Sequence, residues 1–258
     1  MSTTLEHHSH EPVPSRWPII AALGIGLIPV GLVVNAHGRK DGLAILALGL
    51  LIGLMGAGRW WAELLRDRFF GRDAIDADSR LKRSFALFIA SEAAIFGAFF
   101  AALFYARYHA PVWPPEGMPH FDIVLPAVNT GILIFSSVTC HLAHMALEKG
   151  RRDGVVASLL MTIFLGALFL CGQAYEYGVL NGEAFNVKSG IFGTTFFMLT
   201  GFHGLHVLVG VIFLNVVYGA AIRNRITPEQ SFPLQAASWY WHFVDVVWIC
   251  VFTVVYLF

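Results

Sequence analysis

Charge is scarce in this sequence. Only 13% of its 258 residues are charged, too few to give a soluble domain of this length its polar skin, so an ordinary soluble fold is excluded. The charges also cancel, at 17 basic and 17 acidic residues. Without a basic surplus there is no electrostatic footprint for nucleic acid, and no nucleic-acid partner is expected. Cysteine is scarcer still, at three residues. Cys140, Cys171 and Cys250 each stand alone in an apolar run, which rules out both a C-x-x-C zinc site and a C-x-x-C-H haem attachment. They read as small packing residues. No connector is long enough to fold by itself, and no inverted repeat is visible, which argues against a transporter.

What remains is hydrophobic. Apolar residues make up 57% of the chain, with 22 Phe and a mean hydropathy of +0.65. They gather in runs of about twenty or more, the length that crosses a bilayer as a helix. Seven such runs predict spans over 17–36, 42–61, 84–108, 126–147, 155–177, 191–222 and 234–258. The expected fold is therefore an all-α, seven-helix membrane protein. Pro29 predicts a kink in the first span, and Gly49, Gly53 and Gly56 predict close helix approach in the second. Residues 1–16 are polar and read as a flexible tail whose acidic, His-rich start is unlike a signal peptide. Residues 17–66 would carry the first two helices, 67–83 a connector, and 84–258 a five-helix bundle. The connector after Trp60-Trp61 is the widest gap between spans, which points to two packed groups. The loop at 107–125, with Trp113 and four prolines, reads as an ordered cap. Basic residues in the tail and in the connectors 59–83, 148–154 and 223–233 outnumber those on the opposite side thirteen to four. The expected orientation is therefore N-terminus cytoplasmic, C-terminus outside.

Polar side chains inside spans are the functional candidates, because at membrane depth they face a bundle interior and pair. Glu92 lies in the third span, where a carboxylate is expected to be protonated or paired. It reads either as a proton relay or as a neutral acid holding two helices together. His141 and His144 close the fourth span, and Gln173 and Glu176 end the fifth on one side of the helix. His203 and His206, in Gly201–Gly210, are three apart and predicted to share a face. His242 and Asp245 repeat that spacing in Trp239–Asp245. The blander reading of His144, Gln173, Glu176, His203, His206, His242 and Asp245 is a structural polar network between helices. Two His-bearing helices also admit a bis-His haem, while Gly201, Gly204 and Gly210 equally suit tight packing.

At these residues the chain resembles subunit III of the haem–copper oxidases, of the cytochrome c oxidase (aa3) type. The resemblance runs from Trp60 to Phe258 and rests on strings in the family's order. These are Trp60-Trp61 with Arg66-Asp67, Ser91-Glu92, Trp113-Pro114-Pro115, Asn129-Thr130, Ala143-His144, Gln173-Ala174 with Glu176-Tyr177, Gly193–Phe197, Gly201–His206 and Trp239–Trp248. Residues 1–59 match only as two apolar spans. The resemblance implies helices 1–2 and 3–7 splayed around a V-shaped cleft that holds phospholipid. It implies no catalytic residue, metal or cofactor in this chain, with haem and copper in partner subunits I and II, and cytochrome c met by the assembled complex. That sinks the bis-His reading. Glu92 would be the family's buried carboxylate, reactive toward a hydrophobic carbodiimide. Trp61 and Arg66 match the region that contacts cleft lipids, since Arg pairs with phosphate and Trp suits the headgroup level. Arg223 would serve similarly. Ala62 departs from mitochondrial relatives, which carry a charge there, so one lipid contact is missing or moved.

The expected function is that of a non-redox subunit of a proton-pumping oxidase that reduces O2 to water. It would stabilise subunit I, hold lipid and support proton uptake and O2 access. Rival readings are the same subunit in a quinol oxidase or a nitric-oxide-reductase-associated complex, a stand-alone proton-coupled transporter using Glu92 and Asp245, and a seven-helix receptor. The Arg/Ala/Gly-rich, His-tailed composition favours a bacterial inner membrane over a mitochondrial one.

Overall fold

A computed structural model describes residues 15–63, 74–115 and 123–257. Seven of its helices are long and apolar enough to cross a membrane, and every regular element among the described residues is helical. The chain is an integral membrane protein. It divides into two compact units, Met1–Arg72 and Asp73–Phe258.

In the first unit, α1 (Trp17–Ala36) and α2 (Asp41–Glu63) form an antiparallel hairpin. The first helix runs unbroken through Pro29. Its end is made by Gly38 at φ +78°, a left-handed conformation that glycine adopts without steric cost. The Gly38 amide donates to the Asn35 carbonyl at 2.9 Å and that of Arg39 to Val34 at 3.3 Å. Along the seam, backbone lies on backbone. A Cβ on Gly24 would collide with the Gly53 backbone, one on Gly31 would stand 2.5 Å from Leu46 N, and one on Gly56 would stand 2.5 Å from Ala21 N. Gly42, Gly49 and Gly56 recur every seven residues, the repeat that keeps one face turned to a nearly parallel partner. At the open end of the hairpin Ser15 Oγ donates to Glu63 Oε2 at 2.6 Å, and the Arg59 guanidinium lies 5.5 Å from the centre of the Trp17 ring.

The second unit holds α3 (Ala74–His109), α4 (Val124–Glu148), α5 (Arg152–Gly182), α6 (Gly190–Ala221) and α7 (Phe232–Phe252), the last continued by a π-helical turn over Thr253–Leu257. Helices α4 to α7 each pack on the next, and α7 returns to α4, so the four close into a ring; α3 packs outside it on α6 and α7. The ring is filled by aromatic side chains. Trp241 is fully buried and reaches three neighbours at once. Its six-membered ring occupies the place a side chain would take at Gly166 on α5 and at Gly210 on α6, and its Nε1 donates to Ser136 Oγ on α4 at 2.9 Å. Two turns on, Trp248 Nε1 donates to Thr130 Oγ1 at 2.9 Å.

All seven expected spans are present, with two displaced boundaries: the fifth helix runs on to Gly182, past Tyr177, and the third begins early. The third helix starts at Ala74 rather than near Ser84. Its polar first turns, through Asp76, Asp78 and Arg80, read as connector because hydropathy sees polarity and not helicity; no Gly or Pro follows Arg72 to break the helix before Gly97. Trp113 in the loop after α3 packs edge-on against Phe192 at 5.0 Å. The His-rich start of the tail lies outside the described residues.

Candidate functional site

Glu92 sits on the face of α3 that meets α6, its side chain 17% exposed. Its Oε2 lies 3.0 Å from Nε2 of His206 on α6. The other ring nitrogen, Nδ1, is 2.8 Å from the Phe202 carbonyl one turn earlier. A carbonyl can only accept, so Nδ1 carries a hydrogen. Two states remain for the far side of the ring. Either a neutral carboxylic acid donates to a bare Nε2, or an imidazolium donates to a carboxylate. Both hold one proton between the two heavy atoms, and the geometry is the same for each. This pair joins α3 to α6 through one side-chain hydrogen bond.

Aromatic rings wall the pair in. Phe202 and Phe96 lie 4.7 and 5.0 Å from the His206 ring, and Tyr240 on α7 stacks beyond it at 6.3 Å. Phe88 stacks in turn on Tyr240 at 6.4 Å, and Phe243 meets Phe96 at 6.2 Å. Such walls exclude water, which lowers the local dielectric and strengthens the hydrogen bond inside.

His203 is predicted to share the face of His206, and the structure separates them. Three residues on a helix still differ by about 60° in direction, and here that angle selects different neighbours. His203 turns into the four-helix ring, stacked on Trp248 at 4.8 Å with Phe169 edge-on at 5.7 Å. His242 likewise parts from Asp245: its Nδ1 lies 3.0 Å from Ser137 Oγ on α4, while Asp245 is buried in the ring. Gln173 and Glu176 do share a side, and Gln173 Nε2 donates to Glu176 Oε2 at 2.9 Å. His144 keeps to its own helix, 3.6 Å from Glu148. Among the described residues, no three His, Cys, Asp or Glu side chains converge as a metal site would require.

The expected lipid residues are spread along the chain. Trp61 lies in the last turn of α2, Arg66 lies outside the described residues, and Arg223 is exposed just beyond α6. The α6–α7 connector near it carries one perturbed acid. Glu229 is held below the usual carboxylate range by hydrogen bonding to Thr227 and to backbone. Sequence reasoning missed the hydroxyl partners Ser136 and Ser137, and it named Thr130 only within the Asn129-Thr130 string, without its indole partner. Ser and Thr are ordinary in membrane helices, and the signal that could have found them is their spacing opposite Trp241, His242 and Trp248.

The chain matches the family model for cytochrome c oxidase subunit III over residues 7–258, which extends the resemblance into the tail. Curated relatives named cytochrome c oxidase subunit 3 include those of Dugong dugon and Papio hamadryas, each 38% identical over 97% of this chain and 97% of the relative. That of Branchiostoma lanceolatum is 38% identical over 97% of this chain and 96% of its own length. These relatives are animal proteins, which gives no support to the bacterial membrane expected from composition, and that expectation is dropped. The chain belongs to the cytochrome c oxidase subunit III family.

Proposed function

We propose that this chain, a subunit of an oxidoreductase complex by its family, is the non-redox member of a proton-pumping cytochrome c oxidase. The reading rests on the family match along 7–258. In it the haem and copper that reduce O2 belong to subunits I and II, cytochrome c docks on the assembled complex, and this chain stabilises subunit I. Its N-terminus lies on the cytoplasmic or equivalent side, following the basic connectors. Phospholipid is held with Trp61, Arg66 and Arg223: a guanidinium makes paired hydrogen bonds to a phosphate, and an indole suits the interface beside it. The lipid-holding cleft is part of the same proposal, as is O2 access through it.

The chain's own chemistry in this reading is custody of a proton. His206 Nε2 and Glu92 Oε2 exchange one hydrogen across 3.0 Å, inside aromatic walls that keep other acids and water away. The Phe202 carbonyl fixes the ring so that Nε2 always faces Glu92. Such a pair supports proton uptake by holding its helices in place and by buffering charge at that depth.

The test is removal of this chain from the purified complex. The expected result is that initial turnover survives, while operational lifetime and protons pumped per electron both fall. Unchanged lifetime and pumping would sink the proposal.

A further inference from the structure

We propose that the interior of the α4–α7 ring is a binding site for ordered water, held jointly by Asn129, Gln173, His203 and Asp245. Each helix of the ring supplies one of these residues, and all four are buried. Among the described residues, Asn129 Nδ2, Gln173 Oε1, Asp245 Oδ1 and both ring nitrogens of His203 are buried without a hydrogen-bond partner. His203 is 0% exposed.

Contacts between the four helices bring them to neighbouring levels. His203 stacks on Trp248, and the Trp248 indole donates to Thr130, the residue after Asn129. The Asn129 amide lies where a side chain on Gly172 would go, beside Gln173. Phe169, whose ring meets both His203 and Trp248, is one turn from Gln173 on the same face of α5. Asp245 is three residues from Trp248 on α7, and both are buried. Asn129, Gln173 and Asp245 are therefore each within about one helical turn, along their own helices, of a residue that touches the His203–Trp248 pair.

Their chemistry matches water and not a second side chain. Asn129 Nδ2 is a donor, Gln173 Oε1 an acceptor, and a neutral His203 offers one of each. Asp245 Oδ1 accepts, or donates if protonated. A water molecule has two donors and two acceptors and bridges such mixed sets, and buried waters bind where two to four polar groups converge. Lipid outside the ring offers no hydrogen bond to any of them. His206 is the contrast: three residues away, both of its nitrogens are already engaged by protein.

The assembled oxidase complex, imaged to better than about 2 Å, tests the site directly at the resolution where ordered water is seen. The expected result is solvent density within hydrogen-bond reach of a His203 nitrogen and of at least one of Asn129, Gln173 and Asp245. Direct protein–protein hydrogen bonds completing these atoms, or density for none, would overturn it. Radiolytic footprinting in 18O-water gives a second readout. Trp248 should take up the label although it is 1% exposed, and His203→Phe, which keeps a ring on Trp248, should cut that uptake severalfold. Uptake that is absent in the native complex, or unchanged in the variant with Trp248 unmoved, would also overturn it.

Discussion

The two units solve the same problem in opposite ways. Inside a bilayer the hydrophobic effect does not drive helices together, because lipid is as apolar as leucine; packing and hydrogen bonding must do it. The α1–α2 hairpin does it by subtraction. Side chains are removed from the seam at Gly24, Gly31, Gly42, Gly49 and Gly56 until backbone meets backbone. The α4–α7 ring does it by addition. Two indoles fill the middle, and each finds a hydroxyl on the adjacent α4. A seam of backbones has no rotamer with which to yield, whereas a ring of side chains can shift. The hairpin should therefore be the more brittle unit, and substitutions can break or sharpen that contrast.

The largest effect is expected for Gly24→Leu. Its side chain must displace the Gly53 backbone, at about 3 kcal/mol or more, and the chain should be lost from the purified complex in quantitative mass spectrometry. Gly26→Leu, two residues away with nothing within 4 Å of its Cβ, is the control and should be retained. If both behave alike, the backbone seam is not what holds the hairpin. Next comes Gly210→Leu in the ring, which presses on the Trp241 ring 2.8 Å away. Because a side chain can turn aside, about 1–2 kcal/mol is expected, read as a lowered temperature of chain release from the complex. A loss as large as that of Gly24→Leu would erase the contrast between the units.

Ser136→Ala isolates the hydrogen bond from the packing. It strands the buried Trp241 Nε1 at a cost of about 0.5–1 kcal/mol, the range seen for interhelical bonds in membranes. Trp241→Phe in the same background should then show no additional hydrogen-bond loss in a double-mutant cycle. The smallest effect is at a helix end. Ala184 sits at φ +59°, with Phe185 N closing on Leu180 O at 2.9 Å and Ala184 N on Asn181 O at 3.1 Å. This is the helix ending that Gly38 and Gly150 make with glycine. Ala184→Gly should relieve the left-handed strain and stabilise the chain by about 0.5 kcal/mol, after the extra backbone entropy of glycine is deducted. A lower release temperature would show that the loop, and not the strain, governs this end.

Much of this was legible without coordinates. The seven spans follow from runs of apolar residues, since a bilayer imposes one length on every crossing. Gly49 and Gly56 announced the hairpin seam, because glycine within an apolar span has few uses besides close approach. Glu92 stood out for the opposite reason: a carboxylate at that depth demands a partner. What could not be read was which partner. His203 and His206 have the same chemistry and nearly the same address, yet one meets Glu92 and Tyr240 and the other meets Trp248 and Phe169. The same limit hid Ser136 and Thr130, whose importance lies in the indoles opposite them.

The sequence by itself determined that the chain spans a membrane seven times and which polar groups lie too deep to stay unpaired, because both follow from local composition and a fixed bilayer thickness. Its motifs also pointed to its family. Only the tertiary structure decided that Glu92 pairs with His206 and that Trp241 bridges three helices. Those pairings depend on the rotation and register of each helix against its neighbours, which packing sets and no single stretch of chain encodes.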